Sequence, residues 1–131
     1  PAAAERTEVV RLREAALVLC AEGRVLLTRS DHPRGWWKLL WRLPVLEVGS
    51  GSEGAPDWER AGIGELPVAP QTVGRIRYTV TKHRVALDVY AAELDEPLST
   101  ARELRWVRFD DLGDLALPAP HVRAVALIDN G

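Results

Sequence analysis

The sequence has 131 residues, a length that suits one domain built around a single core. Its composition, 47% hydrophobic and 27% charged, is that of a globular protein and excludes a wholly disordered chain. The formal net charge is −2, and the longest uncharged apolar run, from Ala15 to Ala21, is too short for a membrane helix, so we expect a cytoplasmic protein with no membrane partner.

Basic residues concentrate in two segments of the chain. The segment 24–42 holds five bases and one acid, and the segment 75–84 holds four bases and no acid. Side by side in the fold, the two segments would form a basic surface suited to a phosphate-bearing partner. The alternative is that these charges lie at solvated sheet edges, where they keep strands from aggregating.

The first half of the chain predicts a tail followed by a hairpin. Residues 1–13 lack a clear apolar stripe and predict a tail or linker, which leaves 14–131 as a single domain. Two apolar runs, Ala15–Cys20 and Arg24–Thr28, flank a glycine-containing turn and predict a buried β-hairpin. The cluster His-Pro-Arg-Gly at 32–35 predicts a loop.

The second half predicts a weak helix, three strands and a final helix. A short helix is expected to begin at Asp57, although two glycines oppose it. Strands are predicted over Thr72–Tyr78 and Val85–Leu94, joined by a turn at 79–84, and the second strand alternates with period two. A further strand at 104–109 precedes a helix that continues to Ile128.

Four blocks, in order, resemble the C-terminal Nudix-like domain of adenine DNA glycosylases of the MutY family. They are Gly23-Arg24-Val25-Leu26-Leu27-Thr28-Arg29, the stretch from Gly35 to Pro44 that includes Leu40-Trp41-Arg42-Leu43, the segment Gly74–Tyr90, and Trp106-Val107 with Ala116-Leu117-Pro118. The resemblance covers nearly the whole chain. It implies an α+β fold in which a mixed β-sheet is sandwiched between helices, with a degenerate Nudix helix.

The resemblance also implies a role in base excision repair: recognition of 8-oxoguanine opposite adenine, and positioning of the duplex DNA that contains it. In the family, a separate helical domain with an iron–sulfur cluster excises the adenine. That cluster needs several cysteines and this chain has one, so the catalytic domain is expected as a partner in cis or in trans, and this chain is expected to be non-catalytic and without a cofactor.

The family's recognition turn corresponds to Tyr78-Thr79-Val80-Thr81-Lys82. Thr81 fits the family pattern, whereas Tyr78 and Lys82 stand where the family usually has histidine, and Val80 stands where it has an aromatic residue. The hydroxyl of Thr81 is expected either to contact a base or phosphate or to bond to its own turn. The full set of expected DNA or lesion contacts is Thr79, Val80, Thr81, Lys82, Arg34, Trp36, Lys38, Arg75, Arg77 and Arg84, and strand alternation predicts that Arg75 and Arg77 share a face that Arg84 does not.

A first alternative function is a Nudix hydrolase that cleaves a nucleoside diphosphate derivative. Such an enzyme holds Mg²⁺ with carboxylates on successive turns of one helix. The corresponding stretch here has no Arg-Glu pair and no adjacent glutamates, so we expect no metal site. If the chain were a hydrolase, Glu47, Glu53 and Glu59 would be its metal ligands.

A second alternative is a protein-docking module. Three of the five tryptophans, Trp36, Trp37 and Trp41, lie within six positions. We expect Trp41 in the core, and one of the other two exposed, where it could stack on a base or contact a partner domain.

Overall fold

The computed structural model describes residues 8–49, 54–100 and 103–128. Within these ranges, six strands form one sheet: β1 (Val10–Ala21), β2 (Arg24–Thr28), β3 (Val45–Glu47), β4 (Gln71–Val80), β5 (His83–Leu94) and β6 (Leu104–Arg108). Helix α1 spans Ala119–Ala126, and two short 3-10 helices span Trp58–Ala61 and Phe109–Asp114.

The sheet is mixed, as expected for the α+β fold. Its strand order is β4-β5-β1-β2-β6, and β3 also pairs with β1. Strand β1 runs parallel to β5 along its whole length, from Val10 opposite His83 to Ala21 opposite Leu94. All other pairings are antiparallel. The long parallel pair therefore forms the centre of the sheet.

Both faces of the central strand β1 are buried over most of its length. One face contributes Ala16 and Val18 to a core that includes Ala124 and Val125 of α1. The other face contributes Leu17 to a second core that includes Trp58. Burial on both faces explains why this part of β1 is continuously apolar in sequence rather than alternating.

Helix α1 is tied to the entrance of β3 through a buried histidine. His121 is fully buried, and its Nδ1 accepts a hydrogen bond from the backbone N–H of Leu43 at 3.2 Å. Burial lowers the pKa of His121 to about 3, and the positive charge of Arg42 acts in the same direction. The helix therefore packs with a neutral imidazole against the sheet.

The predicted hairpin at the start of the domain is confirmed, but the predicted tail extends too far. Strand β1 begins at Val10, so residues 10–13 are part of the sheet, whereas residues 1–7 lie outside the described ranges. The helix expected at Asp57 is reduced to one 3-10 turn, which Asp57 caps by accepting the Glu59 N–H and which ends at Gly62 with φ +80°. Nothing in the described ranges forms a helix with the length and apolar character needed to span a bilayer.

The turn between β4 and β5 is shorter than predicted, and this changes which residues share a face. Val80 pairs with His83, so the turn consists of Thr81 and Lys82 alone. Thr79 then lies opposite Arg84, and residues directly opposite each other in an antiparallel pair point to the same side of the sheet. The prediction that Arg84 lies on a different face from Arg75 and Arg77 is therefore wrong.

Replacing His121 should change how stability depends on pH. Below its ordinary pKa of 6.5 the unfolded chain protonates this histidine, whereas the folded chain resists protonation down to about pH 3. The folded state is therefore stabilised above pH 6.5 and loses stability on acidification, by about 1.4 kcal/mol per pH unit from this one group. His121→Gln removes the titrating group.

The measurement is the free energy of unfolding by urea at a series of pH values for both proteins. Between pH 6 and pH 4, the free energy of unfolding of the wild type should fall more steeply than that of His121→Gln. The difference in slope should be about 1.4 kcal/mol per pH unit, the value for one titrating group. Parallel curves would show that His121 is not held neutral by the fold.

Candidate functional site

The β4–β5 turn and the loop between β2 and β3 meet at one end of the sheet. We call Thr81–Lys82 the hairpin turn and residues 29–44 the aromatic loop. The ring of Trp36 in the loop lies 5.4 Å from the ring of His83 and 6.4 Å from the ring of Tyr78, centroid to centroid. Trp36 and the β4–β5 hairpin, which both carry residues of the expected contact set, are therefore neighbours in the fold.

A buried carboxylate fixes the two segments to each other. Glu14, on β1, is 1% exposed. One of its oxygens accepts a hydrogen bond from the hydroxyl of Tyr78 on β4 at 2.5 Å. The other oxygen lies 2.9 Å from Nε2 of His32 in the aromatic loop. Strand, hairpin and loop are thus joined at a single side chain.

The hydrogen bonds around His32 define which of its two ring nitrogens carries the hydrogen. Its Nδ1 accepts the backbone N–H of Arg34 at 2.9 Å, so Nε2 carries the hydrogen and donates it to Glu14. Burial, together with the adjacent Glu14 charge, raises the pKa of Tyr78 far above its ordinary value, so that hydroxyl also remains a donor. Both carboxylate oxygens are satisfied, as a buried charge requires.

The backbone of the aromatic loop is strained. Trp37 has φ +62° and Leu39 has φ +66°, a region that costs a residue with a Cβ about 1–2 kcal/mol. Leu39 is also 89% exposed, although it is a large apolar residue. Strain of this kind persists only where the surroundings over-determine the conformation, and Trp37 is held by ring contacts with Tyr78 and His121.

The tryptophans differ from the expectation. Trp36 and Trp37 are both half-buried, so the prediction that one of them is exposed is wrong. Trp36 is stacked on His32 with a centroid distance of 5.0 Å, which covers part of its surface. Trp41 packs against the core but stays half-buried, with the Arg29 guanidinium 4.7 Å from its ring centroid. The exposed apolar group of this loop is Leu39.

The predicted contact residues of the turn are accessible. Thr79, Thr81 and Lys82 are exposed, and Val80 is half-buried. The Thr81 hydroxyl donates to the carbonyl of Val80 at 2.8 Å, so the local hydrogen bond considered for it is present. Its oxygen keeps acceptor capacity for a ligand N–H.

The predicted contact residues of the loop are only partly available. Lys38 is exposed, but the guanidinium of Arg34 is held by both oxygens of Glu47, at 2.6 and 3.0 Å. Arg42 is 2% exposed and donates to the carbonyl of Ser30. Burial of Arg42 and the ion pair of Arg34 therefore withdraw two of the five bases of the first segment from the expected basic surface.

The arginines of β4 and β5 instead share a surface with β1. Arg75 is bound by Asp88, with Nε 2.6 Å from Oδ1, whereas Arg77 and Arg84 form no salt bridge within the described ranges. Arg84 lies opposite Arg11 of β1 in the parallel pairing. Arg11 was missed because the segment 1–13 read as a tail.

The acids expected for a hydrolase do not form a described metal site. Glu47 is occupied by Arg34, Glu59 is exposed on the 3-10 turn, and Glu53 lies outside the described ranges. No group of three or more metal-binding side chains occurs among residues 8–49, 54–100 and 103–128. A cavity of about 450 Å³ does lie between Glu47 and the 3-10 turn, with Asp31 and Arg60 in its lining.

Comparison with known families gives one match over most of the chain. A model described as NUDIX domain matches residues 14–127. No curated protein sequence is significantly similar to this chain.

Solved structures with a similar fold come from proteins of different kinds. The C-terminal domain of mouse MUTYH, in complex with human PCNA, superposes with a TM-score of 0.73 at 21% identity, covering 91% of this chain and 88% of that one. The MutT protein from Methanosarcina mazei Go1 also gives 0.73, at 19% identity, covering 95% and 97%. The NUDIX domain of Shewanella oneidensis NrtR, complexed with ADP ribose, gives 0.68 at 15% identity, covering 99% and 92%. At these identities the likeness is one of fold.

Removing the Tyr78 hydroxyl should destabilise the junction of loop and hairpin. Tyr78→Phe leaves one oxygen of the buried Glu14 without its donor, and a hydrogen bond to a charged group contributes about 1.5–3 kcal/mol. The free energy of unfolding by urea measures the loss.

Tyr90→Phe is the matched control, since the Tyr90 hydroxyl makes no hydrogen bond within the described ranges. It should change stability by less than about 0.5 kcal/mol. Equal effects of the two substitutions would contradict the role given to Glu14.

Proposed function

We propose that this chain, which belongs to the NUDIX domain family, is the lesion-recognition and DNA-positioning domain of an A/G-specific adenine DNA glycosylase. Its ligand is duplex DNA with 8-oxoguanine opposite adenine, and a helical catalytic domain works with it in cis or in trans in base excision repair. The observation that carries this proposal is the exposed hairpin turn, held next to the aromatic loop by Glu14.

The hairpin turn offers the chemistry that a damaged base pair requires. Thr81 has a hydroxyl with free acceptor capacity for a base edge, and Lys82 presents an ammonium for phosphate. Tyr78 is excluded as a base contact because its hydroxyl is already bonded to Glu14. Reading of the lesion is therefore assigned to Thr79, Thr81 and Lys82, with Lys38 and Trp36 alongside.

Hydrolysis of a nucleoside diphosphate derivative is the second candidate function, favoured by the cavity next to Glu47. The carboxylate of Glu47 is engaged by Arg34, which leaves it poorly placed to bind Mg²⁺. We expect no Mg²⁺-dependent cleavage of ADP-ribose, measured by product separation. Saturable Mg²⁺ binding at Glu47 together with turnover would make the hydrolase the better assignment.

Docking to another protein is a third candidate, favoured by the exposed Leu39. An apolar side chain held outward by a strained backbone suits contact with a partner such as the catalytic domain. If the protein binds the catalytic domain but has no affinity for DNA, docking is favoured over lesion recognition.

Substitution of the hairpin turn tests the main proposal. Thr81→Ala combined with Lys82→Ala should weaken binding to a duplex with 8-oxoguanine opposite adenine by about 10- to 100-fold, in line with 1–3 kcal/mol for a specific contact. Binding to an undamaged duplex should fall less, because it loses only the phosphate contact of Lys82. Fluorescence anisotropy of labelled duplexes gives both affinities.

The control carries Thr72→Ala with Arg24→Ala, two exposed residues away from the turn that give the same charge change. It should keep the wild-type preference for the damaged duplex. If the turn variant keeps that preference as well, the turn does not read the lesion.

A further inference from the structure

The sheet face opposite α1 is covered over only part of its area. Towards β2 and β6 it is closed by the core that contains Trp58, Leu26 and Leu46. Near the hairpin turn this face carries five exposed arginines: Arg11, Arg13, Arg75, Arg77 and Arg84. We call this surface the arginine face.

Strand register explains why the five side chains lie together. Arg11 is opposite Arg84, and Arg84 is opposite Thr79 on the far strand. One row further along, Ala86 lies between Arg13 and Arg77. Rows two residues apart are about 6.8 Å apart along a strand, so the guanidinium groups are distributed over an area rather than crowded at a point.

One acid neutralises part of this charge. Asp88 binds Arg75 through two contacts of 2.6 and 3.2 Å and lies 3.3 Å from Arg13. Its burial opposes ionisation, but the two arginines outweigh that effect and lower the pKa of Asp88, so it stays charged. Arg11, Arg77 and Arg84 form no salt bridge in the described part of the chain.

The surface is concave and continues to the hairpin turn. A cavity of about 480 Å³ is lined by Arg11, Arg13, Arg77 and Arg84. A second cavity of about 530 Å³ at the turn is lined by Lys82, and the two share Thr79 and Arg84. A ligand that contacts the turn can therefore extend onto the arginine face without interruption.

We propose that the arginine face binds the phosphate backbone of the duplex on one side of the lesion. The choice of occupant rests on charge complementarity and on continuity with the turn, since guanidinium groups bind phosphate oxygens in pairs of parallel hydrogen bonds. The inference deepens the proposed function and rests on it for the identity of the DNA. It adds Arg11 and Arg13 to the contacts and makes the backbone contact independent of the damaged base.

The test is the salt dependence of binding to undamaged duplex DNA. Arg11→Gln, Arg77→Gln and Arg84→Gln are combined in one protein of the full chain. Each phosphate contact contributes about 0.9 to the slope of log affinity against log salt concentration, so the slope should become shallower by about 2.7. The three residues are exposed, and thermal unfolding verifies that the variant is folded.

The matched control combines Arg24→Gln, Arg105→Gln and Arg108→Gln, three exposed arginines on β2 and β6 with the same charge change. Its slope should stay within the error of the wild-type value. Equal slopes for the two triple variants would overturn the proposal, as would a wild-type chain with no salt-dependent affinity for duplex DNA.

A single substitution with the opposite sign gives a second readout. Asp88→Asn removes the acid that holds Arg13 and Arg75, so the slope should steepen by up to about 1.8 and the affinity should rise. Unchanged or weaker binding would contradict the assignment of this face to phosphate.

If the triple variant instead loses binding only to polyglutamate, the partner of this face is an acidic protein and the proposal is overturned.

Comparison with a duplex containing 8-oxoguanine opposite adenine separates this inference from the proposed function. If the arginine variants change the slope but the wild type does not prefer the damaged duplex, the backbone site stands and lesion recognition fails. If the preference is present but the slope is unaffected, recognition stands and the arginine face fails.

Discussion

The site depends on one buried charge. Glu14 lies in the central strand β1, 1% exposed, and a carboxylate in that position is tolerated only if both oxygens are bonded. Tyr78 and His32 supply those bonds, and each belongs to a different segment. The position of the aromatic loop relative to the β4–β5 hairpin is therefore set by the need to satisfy this carboxylate.

Next to the hairpin turn, one face of the sheet is covered and the other is open. On one side, Glu14, Tyr78 and His83 contact the aromatic loop, and on the other the arginine face is open. The turn between them presents Thr81 and Lys82 from the end of a long, well-paired hairpin. A rigid strand pair is a better platform for recognition than a free loop, because less conformational entropy is lost when a ligand binds.

Sequence patterns predicted the parts of the fold that are determined locally. The hairpin of β1 and β2 followed from two apolar runs around Gly23, and β5 followed from its alternation. The start of β1 was missed although Val10 and Leu12 alternate with Arg11 and Arg13, since two alternating pairs are a short signal next to an alanine-rich segment. That omission hid two of the five arginines of the arginine face, Arg11 and Arg13.

The candidate site was less accessible to sequence reasoning because its contacts are long-range. Glu14 is 18 residues from His32 and 64 from Tyr78, and an acid inside an apolar strand does not indicate its partners. The ion pairs of Arg34 with Glu47 and of Arg75 with Asp88 join different strands or loops in the same way. The face of Arg84 depended on the length of a turn, and a change in turn length changes which residues lie opposite each other.

The most direct test of the whole account is an amide NMR titration of the labelled chain with a duplex containing 8-oxoguanine opposite adenine. The largest shifts should fall on residues 79–84 and 35–38 and extend to Arg11 and Arg13. Shifts confined to the cavity around Glu47 and Arg60, with the hairpin unaffected, would contradict it.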